Sequence, residues 1–345
     1  MQPLINKYKR IRKTKFLKSS YSGKYAFVGI GNHSLTNLYP VLDYLKAEIK
    51  YIVTRSEESA KAVDENYRHT KGTTNLKKVL SDKEITGVFV CATPSAHFEI
   101  AKQVLEAGKH LFIEKPPCLT LDELTTLESI EKKSKGEAFV GLQKRYAPVY
   151  QILDSKLKTK TANYYKLEYR AGNYPEGDAL MDLFIHPLDL VGQLFGAAKI
   201  EYIKKMEAGK GVETWFIELS HKNNITGRIE LSTDFWWQRG KEKITVNTDK
   251  QLFETTGTNN LKATDKPKSI MNVPLEKVKA PVISEHYLYE KNNFLPVRDH
   301  NELYAAGYFS EIQAFLDVCE KGKENESTLA SVRPVFELTE QLKSK

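Results

Sequence analysis

The sequence predicts an α/β Rossmann domain with a doubly wound parallel sheet, followed by a C-terminal α+β domain with an open, mainly antiparallel sheet. Three observations lead there. Short apolar runs alternate with helical patterns from Tyr25 to Leu142, as in a parallel sheet covered on both faces. The first run ends in Gly29-x-Gly31-x-x-Ser34, which reads as a strand entering a tight glycine turn and then a helix. Such a turn lets the backbone approach a pyrophosphate, and the helix start offers N–H groups and a positive dipole end. After about Arg145 the texture changes, and alternating runs such as Arg228-Ile229-Glu230-Leu231-Ser232 fit strands with one buried face.

Taken in order, Tyr25–Ile30 is the first strand. Leu35–Ala47 follows as a helix with Leu38, Val41, Leu42 and Leu45 on one face, and Pro40 as a kink or an early-turn residue. Tyr51–Thr54 is the second strand, and Ser56 caps a helix over Glu57–Asn66. Leu76–Leu80 reads as a short helix, Gly87–Cys91 as a buried strand and His97–Ala107 as a helix stopped by Gly108. Leu111–Ile113, Leu121–Lys133 and Ala138–Leu142 read as strand, helix and strand. Beyond them, one helix is expected from about Met181 to Phe195. Strands are expected at Tyr164–Tyr169, Ile200–Lys204, Thr214–Ser220, Ile225–Ser232 and Lys243–Val246. Residues 255–300 are polar and contain Pro267, Pro274, Pro281 and Pro296, so they read as long loops or edge segments. Helices close the chain near Tyr308–Glu320 and Pro334–Leu342. The expected division is a basic arm over 1–22, a dinucleotide-binding domain over 23–145 and a substrate-binding and oligomerisation domain over 146–345, with C-terminal helices able to pack back on the first domain.

At 345 residues, 41% apolar and 28% charged, the chain has the length for two cores and an ordinary globular composition. No apolar stretch approaches a membrane span, so no membrane insertion is expected, and no apolar segment of a secretory signal follows the basic start. Cys91, Cys118 and Cys319 are too few and scattered for a disulfide framework or a zinc site, which points to a reduced, cytoplasmic protein. Seven of the eight net positive charges fall in residues 1–20, leaving about +1 for the rest. The arm reads either as an electrostatic contact for lipid or nucleic acid or as a solvated, loosely docked segment. No aromatic interleaving accompanies the charges, so the second reading is preferred and no nucleic-acid partner is expected.

The chemistry concentrates at the expected strand ends. Thr54-Arg55-Ser56 stands where an NAD-selective fold usually carries a carboxylate for the ribose hydroxyl. A guanidinium there suits a 2′-phosphate instead, which favours NADP over NAD; the plain alternative is a surface arginine near Glu57 and Glu58. Ala92-Thr93-Pro94 with His97 follows one strand, and Glu114-Lys115-Pro116 follows the next. The expected cofactor-binding residues are Gly29, Gly31, Asn32, His33, Ser34, Thr54, Arg55, Ser56, Ala92, Thr93, Pro94, His97, Glu114 and Lys115. In Gly177–Asp189, Asp182 and His186 lie four apart, one helical turn. A carboxylate beside an imidazole suits general acid–base work. No further ligand cluster joins Asp182, His186 and Asp189, so no metal is expected. Arg145, Tyr146, Asn173, Asp182 and His186 are the expected substrate-binding residues. Trp236 and Trp237 could face a sugar, but sheet-core positions are the preferred reading.

In order and spacing these features resemble the Gfo/Idh/MocA family of oxidoreductases, the glucose–fructose oxidoreductase and inositol dehydrogenase group. The likeness rests on Val28-Gly29-Ile30-Gly31, Tyr39-Pro40-Val41-Leu42, Ala92-Thr93-Pro94 with His97, Ala107-Gly108-Lys109-His110, Glu114-Lys115-Pro116, Arg145-Tyr146-x-Pro148 and Asp182-x-x-x-His186. It runs from Tyr25 to the C-terminus. Ser34, Asp178 and the bulky Phe184 depart from the family's usual glycines, and the basic arm has no counterpart in the family core.

The resemblance implies a Rossmann domain and an open-sheet domain that often serves oligomerisation, so a homo-dimer or tetramer is expected. It also implies that Lys115, Asp182 and His186 are the catalytic lysine, aspartate and histidine. The implied reaction is reversible hydride transfer between nicotinamide and a secondary alcohol or ketone of a sugar, polyol or related small molecule. Two rivals stay open: a cofactor-sensing protein of the same fold, and an enzyme using transient redox for glycoside cleavage or epimerisation.

Overall fold

The computed structural model describes residues 2–17, 21–222, 224–271, 273–277, 279–280, 283–291 and 298–344. Helix α1 is Gln2–Leu17. It carries Lys7, Lys9, Arg10, Arg12, Lys13 and Lys15 without an acid, so the part of the basic arm described is helical; Lys18 lies outside the described residues. Residues 2–10 are exposed all round.

Then come β1 (Lys24–Val28), α2 (Tyr39–Leu45), β2 (Glu48–Val53), α3 (Glu57–Asn66), β3 (Lys71–Thr73), α4 (Leu76–Ser81), β4 (Ile85–Val90), α5 (Pro94–Glu106), β5 (His110–Glu114), α6 (Leu121–Glu131) and β6 (Ala138–Gly141). The six strands form one parallel sheet in the order β3-β2-β1-β4-β5-β6. The strand order reverses beside β1, and ligands of such sheets bind in the crevice outside the carboxyl ends there. β3, three polar residues long, has no counterpart among the strands expected from the sequence. Leu35–Ala47 is also not one regular helix: a π turn over Ser34–Leu38 precedes α2, and Pro40 sits in the first turn of α2.

The second half runs α7 (Pro148–Leu157), β7 (Ala162–Gly172), α8 (Ile185–Phe195), β8 (Ala198–Gly209), β9 (Val212–His221), β10 (Thr226–Phe235), β11 (Lys241–Thr248), β12 (Gln251–Thr256), β13 (Asn260–Asp265), β14 (Ser269–Ile270), β15 (Val273–Pro274), β16 (Glu285–Glu290), α9 (Arg298–Ala305), α10 (Tyr308–Lys321) and α11 (Leu329–Lys343). Eight of these strands make a sheet in the order β16-β13-β12-β11-β7-β10-β9-β8. Only β7 and β10 pair in parallel. Residues 255–300 are therefore richer in strand than expected: β13 and β16 extend the sheet, and β14 and β15 form a small ribbon. Pro281 and Pro296 lie outside the described residues.

The chain divides into two compact units: residues 1–118, 125–141 and 312–329, and residues 119–124, 142–311 and 330–345. In the first, Phe89, Phe112 and Phe139 on neighbouring strands surround Phe315 of α10, at centroid distances of 4.9, 5.6 and 5.8 Å. The edge of β6 is closed by residues 325–327: Val140 N–H donates to Ser327 O at 2.7 Å, and Ser327 Oγ donates back to Val140 O at 2.7 Å. In the second, Tyr165 of β7 stacks on Phe195 of α8 at 4.1 Å. His221 locks the pair in place. Its Nδ1 faces Gly196 O at 3.0 Å, so Nε2 accepts from the Tyr165 hydroxyl at 3.0 Å.

Candidate active site

Four strand ends of the first unit carry the residues expected to hold a dinucleotide. After β1 the chain turns at Gly29, whose φ of +86° suits glycine. A Cβ at Gly29 would stand 2.5 Å from Cys91 O, so the turn lies directly against the segment that follows β4. Around Gly31 the opposite holds, since a Cβ would meet nothing within 4 Å. That bare backbone is a cradle a pyrophosphate can approach, and the N–H groups of Asn32 and His33 open the helix beside it. Ser34, only 1% exposed, takes the place of the third glycine. Its hydroxyl accepts from Gly31 N–H at 2.9 Å and donates to Gly31 O at 3.0 Å, a clasp that glycine or alanine could not make. These residues fit a dinucleotide.

After β2, Thr54 is buried and donates to Ser56 O at 3.0 Å, while Ser56 caps α3 by accepting from Ser59 N–H at 3.2 Å. Arg55 is exposed, with no hydrogen bond or ion pair among the described residues. Glu57 bonds the Thr74 hydroxyl, which takes its carboxylate away from Arg55.

After β4 and β5, His97 joins the two segments. It is 1% exposed, with Nδ1 2.7 Å from Pro116 O and Nε2 3.0 Å from Ala92 O. Burial lowers its pKa, against two carbonyls that favour the charged ring. It braces the Ala92-Thr93-Pro94 loop against Lys115-Pro116, a positioning duty. Glu114, 6% exposed, meets His33: its Oε1 lies 3.2 Å from Nε2. The Asn37 amide donates to His33 Nδ1 at 3.0 Å, so the ring proton sits on Nε2 and points at Glu114. Lys115 N–H donates to Glu114 Oε2 at 3.3 Å, and the Lys115 side chain is half-buried. Cys91, its thiol pushed up to about 12 by burial, is un-ionised at neutral pH.

The second unit holds the other expected residues, in different surroundings. Arg145 is not placed for a substrate. It is buried, with Nε donating to Asp189 Oδ2 at 2.8 Å, a second bond to Asp189 Oδ1, and Nη1 donating to Ser331 Oγ at 2.8 Å. Its charge is spent inside the protein. Tyr146 beside it is buried as well.

Asn173, Asp182 and His186 come from the loop after β7 and the helix that follows. Asp178 starts that helix by accepting from Leu180 N–H at 3.0 Å, so the acid replacing a glycine serves as a cap. A π turn over Leu180–Phe184 carries Asp182, and α8 carries His186 in its first turn. Both side chains are half-buried. π turns of this kind recur at functional sites, and the chain has one here and one after the glycine turn. Phe184 points into the core, edge-on to Tyr169 at 6.0 Å, so its bulk is spent on packing. Tyr174, which no motif marked, donates to Asp182 Oδ2 at 3.1 Å. Its phenol is pushed up to about 12 by burial and by Asp182, which keeps it a donor. Trp236 and Trp237 are not core residues: they are 64% and 56% exposed.

Residues 23–142 match the oxidoreductase family with an NAD-binding Rossmann fold. Over those residues the chain is similar to the Gfo/Idh/MocA family. The chain is 27% identical to "Oxidoreductase P35" of Formosa agariphila, over 52% of this chain and 62% of that one. The matches span about half the length of the curated relatives. By fold it resembles a dehydrogenase from Chromobacterium violaceum with a TM-score of 0.80 at 18% identity, covering 94% of this chain and 95% of that one. It also resembles an oxidoreductase from Agrobacterium radiobacter, solved with NAD+, L-tartaric acid and magnesium, with a TM-score of 0.75 at 15% identity over 92% and 94% of the two chains. The dinucleotide cradle of the first unit is thus that of an NAD-binding family. Among the described residues no helix is long and apolar enough to cross a membrane.

Proposed function

We propose that this chain is an NAD(P)-dependent dehydrogenase or reductase acting on a secondary alcohol or ketone of a sugar, a polyol or a related small molecule. The observation that carries the reading is the placement of Lys115. It leaves the carboxyl end of β5 beside Glu114, which the helix after the glycine turn grips through His33. The carboxyl edge of such a sheet is where a nicotinamide ring belongs, which supports a role for the Lys115 ammonium beside it.

When bound, the nicotinamide accepts or supplies the hydride. His186 takes the hydroxyl proton in the oxidative direction and returns it in the reductive one; an imidazole is suited to that exchange near neutral pH. Lys115 stabilises negative charge growing on the reacting oxygen. Asp182 orients the imidazole or holds a neighbouring hydroxyl. Arg55, exposed and without a partner among the described residues, is the residue for a 2′-phosphate, so NADP is the preferred cofactor. The same reading includes an oligomer built on the second sheet, where Tyr164, Tyr202 and Phe216 stand exposed; sedimentation at increasing concentration tests it.

The test of the chemistry is direct transfer. A substrate deuterated at its carbinol carbon delivers the label to the nicotinamide. Turnover with no label in the cofactor contradicts hydride transfer.

A further inference from the structure

The loop after β7 builds an aromatic ledge that leads to Asp182. Trp237 lies across Gly172, where a Cβ would fall 2.3 Å from its Cδ1, so only glycine admits the indole there. Its Nε1–H donates to Asn173 O at 3.1 Å. The indole is therefore held in one orientation while more than half exposed. Tyr174 meets it edge-on, with centroids 6.3 Å apart, and the same Tyr174 donates to Asp182. The loop cannot drift: Tyr174 N–H donates to Gly211 O at 3.0 Å, and a Cβ at Gly211 would strike Pro175 N at 2.4 Å. Gly177 completes it, since a Cβ there would sit 2.5 Å from Asp182 Oδ2. Three glycines thus clear space for one continuous array of Trp237, Tyr174 and Asp182. Trp236 stands next to it with Arg239 over its ring at 5.6 Å.

A cluster of exposed aromatic residues rimmed by polar groups marks a surface that a ligand covers. The Trp237 indole is pinned by a hydrogen bond, adjoins a carboxylate through a phenol, and stands beside two further exposed aromatic residues, Phe235 and Trp236. The C–H face of a pyranose matches a flat aromatic surface, while its hydroxyls match a carboxylate and a phenol.

We infer that Trp237 and Tyr174 form a sugar-stacking subsite next to Asp182, and that the substrate is a glycoside or disaccharide whose second ring rests on Trp237. The inference rests on the reading of Asp182 as a substrate-site residue, and it names the substrate class of that site.

Binding is read without turnover, by intrinsic fluorescence. Trp215 is buried, so the exposed pair Trp236 and Trp237 reports ligand at the ledge. The full-length protein is titrated with D-glucose, D-galactose, cellobiose, maltose and lactose, with no nicotinamide present. At least one disaccharide is expected to bind about tenfold more tightly than its component monosaccharides, the size expected for one stacked ring. Trp237→Ala is expected to abolish that advantage and leave monosaccharide binding unchanged. Trp237→Phe, which keeps a ring, is expected to restore part of it, and this guards against a folding defect. Disaccharides that bind no better than monosaccharides, or an advantage that survives Trp237→Ala, overturn the ledge. The two readings fail separately. A disaccharide advantage that depends on Trp237 but comes with no cofactor reduction sinks the dehydrogenase and spares the ledge, whereas cofactor reduction by a saccharide together with disaccharides that bind no better than monosaccharides does the reverse.

Discussion

His33 Nε2 donates to Glu114 Oε1 across 3.2 Å, and this bond ties the helix after the glycine turn to the strand end that carries Lys115. The cradle for the pyrophosphate and the lysine expected to act on substrate are thereby parts of one hydrogen-bonded frame. Removing the donor leaves a buried carboxylate short of a partner.

His33→Leu is expected to weaken dinucleotide binding by about tenfold, the size of one hydrogen bond to a charged group. His33→Gln, which can still donate, keeps most of the affinity. Titration of reduced dinucleotide fluorescence measures both; equal affinities in wild type and His33→Leu would show that the bond is incidental.

Arg55→Ala separates the two cofactors. Loss of a bidentate guanidinium–phosphate contact raises the Kd for NADPH by about tenfold or more and leaves that for NADH unchanged. Equal losses for both dinucleotides would remove Arg55 from the 2′-phosphate.

The buried pair of Arg145 and Asp189 predicts a stability effect. Asp189→Ala strands a guanidinium in the interior and costs about 3–5 kcal/mol in urea unfolding. Arg145→Met combined with Asp189→Leu recovers much of it, because the desolvated charges go together.

Acid sensitivity begins with histidines. Burial lowers the pKa of both His97 and His221 in the folded protein. The unfolded chain then takes up protons first, at its ordinary value of about 6.5. The stability tied to these rings is complete above that pH and is lost as the pH falls toward the folded values. Glu168, held at about 2 chiefly by its bond to Lys166, enters only below the ordinary carboxylate range. Urea unfolding at about pH 7.5 and about pH 5.5 is expected to differ by roughly 1–2 kcal/mol; a flat profile would contradict the assignment.

The parallel half was legible because its signals are local. An apolar run into Gly29-x-Gly31, a Ser56 cap and a buried Gly87–Cys91 run each say strand, turn or helix without help from distant residues. β3 escaped because Lys71-Gly72-Thr73 is short and polar, and its place is set by pairing with β2. The π turn at Ser34–Leu38 escaped because its residues have the same helical pattern as a regular turn. β13 and β16 escaped because their pairing is long-range and their composition is polar. At the candidate site, the strand-end residues and the Asp182/His186 spacing were readable as motifs. The roles of Arg145 and Tyr174 were not, since both depend on partners far along the chain or across a loop. Asp189 did leave a trace: an acid inside Pro187-Leu188-Asp189-Leu190-Val191 needs a buried partner. Trp236 and Trp237 misled because an aromatic pair at a strand end suits a core as well as an exposed ledge.

The proposed hydride transfer depends on Lys115 and on His186. The direct measurement mixes full-length protein with NADP+ and a panel of sugars and polyols and follows reduced cofactor by absorbance, with Lys115→Ala and His186→Ala alongside. Reduction is expected with at least one compound, lowered by about a hundredfold or more in each variant, while His186→Ala still binds NADPH as the wild type does. Dinucleotide binding with no reduction by any compound, or a His186→Ala protein as active as the wild type, contradicts it.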